Sequence, residues 1–214
     1  MNIPFLEAAR EVTFDWHIVQ ATRWLEFDAG RELDSVLVHA AVELRAAIER
    51  YIFELLYLLK EGKLSADEEK RCRSITGIFA LMKESDPFYR RTIEFTRLVV
   101  SITPGLPEIT VVDTAYLNRK WQDLSEYCHM QFHPEETFQS RGRKFQKQGF
   151  ALLREVLQKF HEWQVESNCA VLARSSLPDE VRDVYDKFIR EEVDANQAKS
   201  MLVLMEPVLR ARQG

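Results

Sequence analysis

Glycine and proline are scarce, seven of each in 214 residues. A sheet protein needs turn residues at short intervals, and collagen-like or low-complexity chains need far more of both, so those classes are excluded. Cysteine is scarcer still. Cys72, Cys128 and Cys169 are an odd, widely spaced set without a C-x-x-C pair. They read as buried thiols of a reducing compartment rather than as a disulfide framework. Long apolar runs are missing too: Tyr51 to Leu59 is interrupted by Glu54 and is far shorter than the ~20 residues of a membrane span. The first ten residues, MNIPFLEAAR, lack the basic and apolar regions of a secretory signal. A cytoplasmic protein with no membrane partner is expected. The chain also lacks a G-x-S-x-G motif and a Walker-type glycine loop, which removes support for a serine hydrolase or a nucleotide-binding fold, and no cofactor is expected.

What the chain does contain is 46% hydrophobic and 29% charged residues, with a net charge of −5. A chain of this length buries roughly 70% of its unfolded surface and sustains one core without staples, so residues 1–214 are expected to form a single domain. The mild negative charge argues against wholesale nucleic-acid binding but leaves room for a local basic patch.

Helical periodicity dominates. Leu37, Ala41, Leu44, Ile48, Tyr51, Leu55 and Leu59 recur at spacings of three and four, one apolar stripe over six turns. That helix is expected to begin near Asp34 or Ser35 and to end with Gly62 at C′. Ser65 and Glu68 match a capping box for a helix to about Lys83. Asp86 and Pro87 offer an N-cap and an N1 proline for the next, to about Ser101. Residues 102–112 read as a long loop. Asp113 or Thr114 caps a helix with the stripe Leu117, Trp121, Leu124 and Cys128, stopped by Pro134. Lys144 to about Asn168, Glu180 to Glu192 and Ala195 to Arg212 complete the pattern, the last kinked at Pro207. The first thirty residues allow a strand, but a helix from about Pro4 to Asp28 suits the rest of the chain better. The fold class expected is all-α, an up-and-down bundle of about seven or eight helices, with 178–212 as a C-terminal helical appendage.

The run Ala40 to Leu59, AAVELRAAIERYIFELLYLL, resembles the first core helix of the HEPN-like superfamily of helical bundles. LSEYCH, Leu124 to His129, is similar to the late-helix segment preceding the histidine in many members. Residues 36–61 and 114–132 would then be the core helix pair. The resemblance implies a two-fold dimer and a link to prokaryotic defence or toxin systems. It also implies, in active members, a metal-independent ribonuclease using Arg and His from an R-x(4–6)-H motif. Here no arginine stands five to seven residues before His129. The two formal matches, Arg10 with His17 and Arg154 with His161, are what chance supplies in a chain with 19 Arg and five His. A member without the catalytic pair is therefore expected.

Three constellations could carry chemistry. Asn118, Gln122, Ser125 and His129 share one flank of a helix and form a polar seam, with His129 as the titrating member and Glu43 or Arg50 on the facing helix. The bland alternative is a helix–helix seam. Arg141, Arg143, Lys144 and Lys147 cluster at an expected helix start, where backbone N–H groups would add to an anion or nucleic-acid site; such runs are more often solvated helix ends. Glu126, His129 and His133 have the spacing of metal ligands, but Pro134 disturbs the second interval and a di-iron site needs twice as many ligands, so no metal is assigned. Cys128 lies on the apolar stripe and reads as core, while Trp16 and Trp24 are candidates for packing against a partner subunit.

Two functions follow. The first is a non-catalytic HEPN-like interaction protein, dimerising through the alanine-bearing face of the long helix at Ala40, Ala46 and Ala47, with a protein or RNA partner. The alternative is a metal-independent ribonuclease or RNA-acting toxin using His129 with Glu43 and Arg50.

Overall fold

A computed structural model describes residues 13–103, 112–129, 140–163 and 174–205, with the side chains of 140–142 excepted. Among these residues the chain is all-helical and carries no strand. Nine α-helices follow in order: α1 Phe14–Asp28, α2 Asp34–Leu59, α3 Ala66–Arg71, α4 Ile75–Glu84, α5 Asp86–Ile102, α6 Thr114–Cys128, α7 Ser140–His161, α8 Asp179–Ile189 and α9 Ala195–Leu204. A 3-10 turn at Arg174–Ser176 precedes α8.

The helix boundaries show which short-range signals operate. Thr13 caps α1, its hydroxyl accepting from Trp16 N–H, which settles the ambiguous segment as helix from Phe14 onward; residues 1–12 lie outside the described residues. The Ser65–Glu68 capping box forms as expected, with both reciprocal hydrogen bonds. The helix it opens, however, stops at Arg71 instead of Lys83. Ser74 supplies a second N-cap to Gly77 N–H at 3.2 Å, and a Cβ on Gly77 would stand 2.1 Å from the Arg71 carbonyl oxygen. Only glycine admits so tight a restart.

At the end of α2 the Gly62 N–H bonds to Tyr57 O at 2.9 Å and the Glu61 N–H to Leu58 O at 3.0 Å, the paired bonds of a Schellman motif. Its left-handed C′ residue is Glu61 at φ 53°, one position before the expected Gly62, which itself follows at φ 72°. Asp86 is likewise displaced by one. Ser85 occupies the N-cap position of α5 without a side-chain cap bond, and Asp86 is the first helical residue, its carboxylate held by Arg90 Nε at 2.7 Å. Asp113 does cap α6, through Tyr116 N–H at 2.9 Å. The last two helices are shorter than expected, α8 ending at Ile189 and α9 at Leu204. Pro134, Pro207 and most of the 102–112 loop lie outside the described residues.

The chain groups into two compact units, with the boundary falling inside α2. One comprises Met1–Glu54 and Asp113–Glu162, the other Leu55–Val112 and Trp163–Gly214.

In the first unit, α2 is buried on two faces. The expected stripe of Leu37, Ala41, Leu44 and Ile48 has no exposed surface, and neither do Val36, Ala40 and Ala47 beside it. Tyr51 is half-buried, its ring edge-on to Phe14 at 5.2 Å and to Phe160 at 6.2 Å, while Ile52 takes the fully buried place. Helices α6 and α7 run antiparallel, since Tyr127 stacks on Phe145 at 4.5 Å and Tyr116 Oη reaches Glu155 at 3.1 Å. Gly149 makes that approach possible, because a Cβ there would stand 2.7 Å from the Tyr127 ring and 2.8 Å from Leu37.

In the second unit α5, α8 and α9 enclose a core around Phe95, Val181, Val184, Phe188 and Leu202. Within it the Thr92 hydroxyl and Tyr185 Oη hydrogen-bond at 3.0 Å, which satisfies both buried groups. The Arg91 guanidinium donates to the Phe188 carbonyl through Nε at 3.1 Å and through a second nitrogen, and lies 4.2 Å over the Phe188 ring. It thus places a cation and donors at the carbonyl end of α8. Arg174 forks onto Asp186 with two 2.6 Å bonds, binding the 3-10 turn to α8. No described helix is long and apolar enough to cross a membrane.

Candidate functional site

Helices α2 and α6, which the resemblance would make a core pair, touch through side chains around Trp121. Trp121 Nε1 donates to Glu49 at 2.7 Å, and the Arg45 guanidinium lies 4.6 Å over the indole, also 3.5 Å from Glu49. This contact uses Arg45 and Glu49, neither of which the periodicity singles out. Their signal was present as charges one turn apart on a helix otherwise packed on two faces. Cys128 lies beside them, buried, with its thiol donating to Leu124 O at 3.3 Å. Burial pushes that thiol above its ordinary pKa and outweighs the neighbouring Arg45, so the group stays protonated and inert. Cys72 is half-buried rather than buried and is raised for the same first reason, with Glu68 adding to it. Cys169 lies outside the described residues.

The catalytic trio expected from the sequence is engaged differently. Glu43 Oε2 is 2.7 Å from His17 Nδ1, an α1–α2 pair of two partly buried side chains. Arg50 binds Glu54 one turn along at 2.6 Å and leans over the Phe53 ring at 5.7 Å. In both cases the hydrogen-bonded partner is a residue other than His129. His129 itself is exposed and stands at the C-cap of α6 with φ −113° and ψ 22°. The helix ends four residues short of the expected 132, so His129 closes the line through Asn118, Gln122 and Ser125 from a C-cap position with non-helical backbone angles rather than from within the helix. That line is also not a uniform seam. Gln122 is exposed, Asn118 is half-buried, and the Ser125 hydroxyl is spent on the Trp121 carbonyl at 2.7 Å, the back-bonding common to serine within helices. What the periodicity could not register is that His17, twenty-six residues before Glu43, reaches it across the α1–α2 turn.

The basic group is displaced relative to its helix. Because α7 starts at Ser140 rather than near Lys144, Arg143, Lys144 and Lys147 stand beyond the first few residues, where the free N–H groups and the positive dipole end lie. Backbone groups therefore do not add to a site at Lys144 or Lys147. All three side chains are exposed; that of Arg141 lies outside the described residues. Between them Gln146 is tied to the α1–α2 turn, its Nε2 donating to Glu32 O at 2.6 Å and to Asp34 Oδ1 at 2.5 Å. The antiparallel register that pairs Tyr127 with Phe145 brings the C-terminal end of α6, with His129, to the same end of the unit as Arg143, Lys144 and Lys147. At the opposite end of this helix pair Glu155 accepts from Lys120 at 2.9 Å and from Tyr116. Lys120 and Tyr116 hold Glu155 below the carboxylate range against its partial burial, while burial, followed by the Glu155 charge, drives the Tyr116 phenol up. This cluster clamps α6 to α7 at the surface.

Of the alanine-bearing face of α2, Ala40 and Ala47 are completely buried inside the unit by this chain's own packing, while Ala46 is half-buried. Among the described residues no group of three His, Cys, Asp or Glu side chains is placed to hold a metal ion; His133 lies outside them. Trp24 of the expected partner-facing pair is half-buried and stacks on His39 at 4.6 Å. Comparison of the chain with protein-family models, with curated proteins and with solved structures gives no match.

Proposed function

We propose that the chain is a non-catalytic, HEPN-like helical binding protein that takes a polyanion, RNA as the first candidate, at the end of the α6–α7 pair. The observation that carries this reading is the register just described, by which exposed Arg143, Lys144 and Lys147 share one end of a unit with His129. Separate cations on one rigid helix neutralise successive phosphates without needing an ordered pocket. The engagement of Glu43 by His17 and of Arg50 by Glu54 speaks against the ribonuclease alternative, because the acid–base partners His129 would need are already in use.

The test is titration of a labelled single-stranded RNA at several salt concentrations. Binding is expected to weaken with salt, by about 0.7 in log affinity per log salt for each phosphate engaged. Replacing Arg143, Lys144 and Lys147 together by alanine reduces that slope by about two. The RNA remains intact throughout. Affinity indifferent to salt or to the three substitutions overturns the binding reading, and cleavage abolished by His129→Ala establishes the alternative.

A further inference from the structure

We draw no further inference here: the strongest candidate, the surface patch of exposed Phe27, His39 and Val42 with half-buried Trp24 on α1 and α2, is flanked by charges of both signs, Arg31 against Glu26 and Asp34, that single out no partner, and nothing in the structure shows what covers it.

Discussion

Asp28 is the only buried charged side chain among the described residues, 1% exposed. It closes the turn between α1 and α2 by accepting the N–H groups of Leu33 at 2.7 Å and Glu32 at 2.9 Å. Burial alone would raise its pKa, but these backbone donors, that of Gly30 and the Arg31 charge together hold it below the ordinary 3.8. Truncation by Asp28→Ala leaves buried donors unpaired and is expected to cost about 1–3 kcal/mol, read by chemical denaturation at neutral pH. The turn contains a second exploitable residue. Ala29 sits at φ 48°, where an L-residue pays about 1–2 kcal/mol, while glycine's extra freedom in the unfolded chain takes back about 0.5–1 kcal/mol. Ala29→Gly should therefore stabilise by about 0.5 kcal/mol. A loss of stability in the same assay would mean that the left-handed backbone at Ala29 carries no strain. Neither feature is legible from periodicity, since Asp28 ends one helix in sequence while its hydrogen bonds organise the start of the next.

Among the elements, one helix restart and one close approach depend on glycine positions that look unremarkable in the chain. Gly77 allows α4 to begin against the Arg71 carbonyl, and Gly149 lets α7 approach Tyr127 and Leu37. Overpacking typically costs about 1–3 kcal/mol, and both Gly77→Ala and Gly149→Ala are expected to lower the midpoint of chemical denaturation accordingly. The Gly77 penalty falls toward the upper figure, because the obstacle is backbone and cannot rotate away. An unchanged midpoint for Gly77→Ala would show that α3 and α4 can merge into the single helix to Lys83 expected after the Ser65 capping box. Caps proved more legible than lengths. The bonds of Ser65 with Glu68 and of Asp113 with Tyr116 N–H span three residues, so the residue types suffice to reveal them. The end of α6 and the start of α7 involve residues with no such local signature, and the error of a few positions there put His129 at the C-cap instead of inside the helix and the basic group away from the helix start.

Across the whole molecule, six carboxylates among the described residues, Asp28, Glu68, Glu84, Glu155, Glu162 and Asp186, are held below their ordinary values by the partners they gain on folding. Glu68 is brought to about 2 by Lys60, at 2.8 Å, and by the Ser65 cap, and Asp186 is lowered by the Arg174 fork. Groups lowered in the folded state contribute stability above their unfolded pKa and lose it as pH falls through the folded one, since the unfolded chain then binds more protons. Stability is therefore expected to fall with acidity below about pH 4.5, and Glu68→Gln should flatten the part of that decline extending toward pH 2. Denaturation midpoints that stay level from neutral pH down to that range would contradict the expectation.

The amino-acid sequence by itself determined that this protein is all-helical and where most of its apolar stripes lie, because helical periodicity and caps depend on neighbours within about four residues. Tertiary structure alone decided the partners. Glu43 goes to His17, Trp121 to Glu49 and Arg45, and Gln146 to the α1–α2 turn. Such pairs are separated by 26 to 114 residues or lie on different helices, and their choice depends on the register in which the helices pack, which no local pattern encodes. The same packing buried Ala40 and Ala47 within the chain and brought His129 to the end of the α6–α7 pair that carries Arg143, Lys144 and Lys147.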